Sequence, residues 1–177
     1  MAMLRNIVYT LNNYIMKQIF LLVALIATVW IKPGFAQSSQ TQSLLTSYYD
    51  IKNALVNSDA AIAASKASEF SKILAGIDMK SMPQAEMTVF MGLQDKLAFD
   101  ARHISETKDI AHQREHFANF SANLFKLAKA VKLTREPVYY DYCPMKKSYW
   151  LSDNAAIKNP YFGKQMLSCG AVKETLK

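Results

Sequence analysis

The stretch from Leu44 to Lys132 constrains the fold more than any other part of this 177-residue chain. It holds one proline, Pro83, and two glycines, and its apolar residues recur three and four positions apart. That spacing puts them on one face of an α-helix, where residues three and four apart are neighbours. Leu44, Leu45, Tyr48, Ile51, Leu55 and Val56 make a first such face. Asn57-Ser58-Asp59 ends that helix and caps a second, Ala-rich one, with Ile62, Phe70, Ile73, Leu74 and Ile77 as its apolar positions. Gly76 to Pro83 is a break. Ser81 is the expected cap of a third helix, with Pro83 tolerated in its first turn because no intrahelical bond is lost there. That helix carries Phe90, Leu93, Leu97, Ala101 and Ile104. Thr107 or Asp109 starts a fourth, bearing Phe117, Phe120, Leu124, Leu127 and Val131. Four amphipathic helices with short connections predict a mainly α fold, an antiparallel four-helix bundle.

The pattern changes at Pro137. Residues 137–170 hold three of the five prolines and seven aromatic residues: Tyr139, Tyr140, Tyr142, Tyr149, Trp150, Tyr161 and Phe162. Val138 to Tyr142 and Ser148 to Leu151 fit a short β-hairpin, and Asn159-Pro160 and Gly163 mark turns. So many rings need a surface to cover them, and the bundle supplies one. Residues 44–176 are therefore expected to form one domain, with an aromatic, Cys-rich cap at 137–170.

Ahead of this domain, Lys17 precedes an apolar run from Ile19 to Ile31, which is followed by Lys32-Pro33-Gly34-Phe35-Ala36. A membrane-spanning helix needs about 20 apolar residues, so the run is short for one. Small residues at 34 and 36 suit a signal peptidase. Residues 1–36 thus read as a signal peptide, cleaved after Ala36, and residues 37–43 as a flexible polar leader. The expected location is periplasmic or otherwise exported, with no stable membrane insertion after cleavage. Removing Arg5, Lys17 and Lys32 with the signal lowers the formal charge from +7 to +4. The remaining charges are scattered, which excludes a dedicated nucleic-acid-binding stripe.

Two groups of residues have the chemistry of metal ligands. Cys143, Met145, Met166 and Cys169 put four sulfur atoms within 27 residues, as Cys-x-Met and Met-x-x-Cys. Thiolates and thioethers favour soft cations such as Cu(I). In an oxidising compartment, Cys143 and Cys169 are equally a disulfide pair. His103, His112 and His116 all fall within 14 residues. His112 and His116 share a helix face at four-residue spacing, and a turn near residue 107 folds His103 back toward them. Glu106, Asp109 and Glu115 are the acidic residues expected to orient the rings. The sulfur and imidazole groups can share one centre or form two.

His112-Gln-Arg-Glu115-His116 also matches the H-x-x-E-H pattern of one class of zinc peptidase. That chemistry needs a further downstream ligand and a substrate cleft, and only 61 residues follow His116. No nucleophile elbow, phosphate-binding glycine loop or catalytic carboxylate pair is present, so the chain is not read as an enzyme.

The strings Tyr142-Cys143-Pro144-Met145, Trp150-Leu151-Ser152, Ile157 to Gly163 and Met166 to Gly170 resemble a bacterial exported domain of unknown function. His103-Ile104, Asp109-Ile110 and Gln113 to Phe117 look like the same family. That domain occurs alone or fused to periplasmic adaptor subunits of copper/silver efflux pumps. The resemblance implies heavy-metal handling and an efflux adaptor as partner. Cys-Pro-Met is also shared with heavy-metal-binding segments that continue with His-Pro, whereas Lys146-Lys147 follows here. The segment from Met145 to Trp150 is also shorter than the family's. The expected function is a periplasmic protein that binds or transfers a heavy metal, Cu(I) above all. The alternative is a disulfide-stapled protein-interaction module with no metal role.

Overall fold

Aspartates start two of the helices and a short turn of helix in the break between the second and the third. In the computed structural model, which describes residues 34–176, the elements are α1 (Gly34–Val56), α2 (Ala60–Ala75), α3 (Gln84–Ser105) and α4 (Ile110–Ala130), then β1 (Val138–Cys143), β2 (Ser148–Ser152) and β3 (Ala171–Leu176). Short 3-10 helices cover Met79–Ser81 and Gly163–Gln165. The Asp59 carboxylate accepts the Ile62 N–H at 2.9 Å and starts α2. Asp109 accepts the Ala111 N–H at 2.9 Å and starts α4, while the Thr107 hydroxyl accepts the Asp109 N–H at 3.0 Å. Both candidates for that helix start are in use, one behind the other. Ser81 does not cap α3. It lies in the first 3-10 helix, which Asp78 caps through the Lys80 N–H, and Pro83 occupies the cap position of α3.

The signal segment expected at 1–36 lies outside the described residues, except for its last three, which open α1. Residues 37–43, expected as a flexible leader, are helical. Gln40 explains part of this: its side chain donates to the Gly76 carbonyl at 3.4 Å and accepts the Asp78 N–H at 3.3 Å. Thr41 is buried one residue on. The start of α1 is thus tied to the turn after α2. Among the described residues, no helix is long and apolar enough to cross a membrane.

The four helices pack in sequence order around a core of Tyr48, Phe70, Phe90, Phe117, Phe120 and the aliphatic residues of the predicted faces. Phe70 meets Phe120 edge-on at 4.6 Å, and Tyr48 stacks on Phe117 at 5.3 Å. Ile62 departs from the predicted face and is half exposed. The cap is a three-stranded antiparallel sheet of order β2-β1-β3, not a hairpin alone, and it continues past residue 170 to Leu176. Tyr140 pairs with Leu151 and Glu174, and the β1–β3 ladder shifts register between Tyr140 and Asp141.

Three contacts seat the sheet on the bundle. The buried Tyr48 hydroxyl accepts the Leu151 N–H at 3.0 Å and bonds Ser121 Oγ at 2.7 Å, joining α1, α4 and β2. Trp150 and Tyr161 bury their rings, with Tyr161 bonded to the Tyr149 carbonyl. Arg114 on α4 donates to the carbonyls of Pro160 at 2.8 Å and Leu55 at 3.0 Å. The remaining rings run outward: Tyr140 stacks between Phe125 at 3.5 Å and Tyr149 at 4.6 Å, and Tyr149 is partly exposed.

Candidate metal centre

Gln113 builds the imidazole cluster from below. Its buried side-chain amide donates to the carbonyls of Ile104 at 3.1 Å, Thr107 at 2.8 Å and Ala60 at 2.9 Å. The turn between α3 and α4 is thereby fixed, and His103 folds back over the first turns of α4. The rings of His103 and His116 stack with centroids 4.5 Å apart, and His112 lies 4.8 Å from His116. One nitrogen from each ring lies within 4.8 Å of the others. A transition-metal ion held by imidazoles at about 2.0–2.1 Å needs nitrogens roughly 3.4 Å apart at a tetrahedral angle. Closing the remaining gap takes shifts on the order of 1 Å, within the range of small ring rotations. None of the three histidines is fully buried, so an ion can enter and leave.

Asp100 sits beneath them. His116 Nδ1 is 3.0 Å from Asp100 Oδ1, and Asp100 is only 3% exposed. Burial pushes the Asp100 carboxyl above its ordinary value, and the hydrogen bond and charge of His116 offset part of that rise. A carboxylate facing Nδ1 places the proton on that atom and leaves the Nε2 lone pair free, as in the carboxylate–histidine–metal arrangement. Phe99 leans over the same rings, 4.3 Å from His103 and 5.8 Å from His116.

The orienting acid is therefore Asp100, not the three acidic residues expected from the sequence. Asp109 spends its carboxylate on the cap of α4, Glu106 is the cap residue ending α3, and Glu115 is exposed. Asp100 carried a signal nonetheless. It lies three residues before His103, beside the apolar positions Leu97, Ala101 and Ile104, where a charged residue is out of place without a partner.

The sulfur residues gather elsewhere. Cys143 ends β1 and is buried. Cys169 is half-buried just before β3, and the two sulfurs lie 3.9 Å apart as free thiols. Met145 is 65% exposed in the turn between β1 and β2, and Met166 is half-buried at the end of the second 3-10 helix. Among the described residues, neither cysteine joins the histidine cluster. The reason is helical geometry. Arg114 faces the segment around Pro160, and His112 and His116 are each two residues from it, roughly 160° round the helix. The histidine cluster and the cysteine pair thus lie apart.

These features define a small four-helix bundle with an accessible three-histidine cluster between adjacent helices and a separate dithiol in an appended sheet. Residues 44–136 match the family described as protein of unknown function (DUF3347), and the chain belongs to that family. The matched residues include all three histidines and Asp100. They end before the sheet, so the tail strings that carried most of the resemblance fall outside them. No curated protein and no solved structure matches the chain.

Proposed function

We propose that this protein binds a transition-metal ion, copper in its working setting, on His103, His112 and His116, and passes it on by ligand exchange. The observation that carries the reading is the approach of three imidazole nitrogens to within 4.8 Å, one of them oriented by a buried carboxylate. Imidazole suits copper, zinc and nickel alike, and among divalent ions copper binds such donors most tightly. The choice of copper also draws on the resemblance to domains that accompany copper/silver efflux adaptors. On that basis the protein acts after export, and the recipient is an adaptor of that kind. When bound, the ion needs no chemistry from the protein beyond coordination. His116 is held ready by Asp100, while the open rim lets an incoming ligand displace the histidines one at a time.

The test is copper uptake by the purified domain in competition with a chelator, alongside His103→Ala, His112→Ala and His116→Ala. Each replacement is expected to weaken binding at this centre without changing the helical content. Unchanged affinity in all three variants refutes the reading. No uptake at all favours an interaction module whose cap serves only as structure.

A further inference from the structure

We infer that Cys143 and Cys169 form a second, independent site for a soft monovalent cation, Cu(I) or Ag(I), built as a dithiolate and not as a structural disulfide. This goes beyond the histidine centre and does not depend on it.

Three observations carry it. The first is the separation. Two thiolates sharing one ion at about 2.3 Å lie at most roughly 4.6 Å apart, when the three atoms are in line. The observed distance is 3.9 Å, whereas a disulfide would need its sulfurs at about 2.05 Å.

The second is what surrounds the sulfurs. The turn Pro144 to Lys147, closed by the Cys143–Ser148 pair, brings a backbone N–H group to one of them. Lys146 N–H donates to Cys143 Sγ at 3.4 Å. Such donors stabilise negative sulfur, which a metal-bound thiolate keeps and a disulfide does not have. Lys147 takes the left-handed conformation, at φ 55°, which lets the turn close over both sulfurs.

The third is how Cys169 is placed. The buried Asn159 donates to the Cys169 carbonyl at 2.7 Å and accepts the Tyr161 N–H at 2.8 Å. Gly170 follows at φ 154°, and a Cβ there would lie 2.7 Å from the Trp150 ring. The backbone on both sides of Cys169 is thus pinned, its N–H by the Met166 carbonyl at 3.1 Å and its own carbonyl by Asn159. Cys143 is fully buried and Cys169 half-buried, so the pair is reached at Cys169. On binding, each thiol releases its proton to solvent and donates a sulfur lone pair, with no change of oxidation state. Soft sulfur donors suit monovalent copper or silver.

The test uses the full domain, reduced and handled without oxygen, in Cu(I) competition with a colorimetric chelator. The protein lacking His103, His112 and His116 is expected to keep one Cu(I) per chain and to show a thiolate-to-copper charge-transfer band. Cys169→Ser, at the half-buried position, is expected to lose both while retaining its helical content and its histidine-site uptake. Ag(I) should also protect the wild-type thiols from alkylation. Equal Cu(I) binding by wild type and Cys169→Ser, or alkylation that Ag(I) does not slow, overturns the inference. A protein lacking the three histidines that takes up no Cu(I) overturns it as well.

Discussion

His116 Nδ1 lies 3.0 Å from the Asp100 carboxyl across the interface of α3 and α4. The bond is local, but it decides which nitrogen of His116 faces His103 and His112. Asp100→Asn keeps the shape and loses the charge, and an amide can turn either its oxygen or its NH2 toward the ring. Metal affinity at the histidine centre should fall by about 10–100-fold, the usual cost of losing such a partner. A chelator competition, with circular dichroism to confirm an intact bundle, measures it.

Asp141 poses the opposite case, a buried carboxylate with neither oxygen hydrogen-bonded. Burial pushes its pKa up to about 6, and only the charge of the buried Lys52 works against that. A carboxyl that holds its proton more tightly when folded favours folding while protonated. Its contribution is complete below pH 4, is lost as the pH rises to about 6, and stays lost above. Asp141→Asn should therefore gain stability over wild type across that window, by up to about 3 kcal/mol at neutral pH. Urea melts at several pH values read the difference directly.

Tyr48 lies at the joint between bundle and sheet. Its hydroxyl accepts from Leu151 N–H and bonds Ser121, all within the core. Tyr48→Phe leaves both partners buried and unpaired. The expected loss is about 1–3 kcal/mol in chemical denaturation, with the same helical content in the folded baseline.

Gly163 sits at φ 56° against the end of α1. A Cβ there would lie 2.9 Å from the Val56 carbonyl and 2.8 Å from Arg114 Nη2, which itself donates to Leu55 O and Ser58 Oγ. Gly163→Ala should destabilise the domain by at least about 1–2 kcal/mol, from the left-handed backbone alone. The shift in melting temperature checks it.

The bundle was legible in the sequence because its apolar period is regular and Asp59 and Asp109 mark helix starts. The first turns of α1 were not, since Gln40 is held by bonds to the turn after α2 that no periodicity reveals. The strand β3 was missed for a related reason. Ala171 to Leu176 is mostly exposed and half polar, and the backbone ladder to β1 makes it a strand. The three histidines were readable as a group from the four-residue spacing and the turn near Thr107. Asp100 was passed over because an acid on a helix usually reads as solvated. The separation of sulfur from imidazole was not legible, because it depends on which face of α4 Arg114 turns toward Pro160.

The most direct measurement follows the side-chain nitrogen resonances of the three histidines while diamagnetic Cu(I) is added to the Cys143→Ser, Cys169→Ser protein. The account predicts that His103, His112 and His116 shift together, saturate at one ion per chain, and leave the His116 Nδ1 proton in place. Three histidines that respond independently, or not at all, would contradict it.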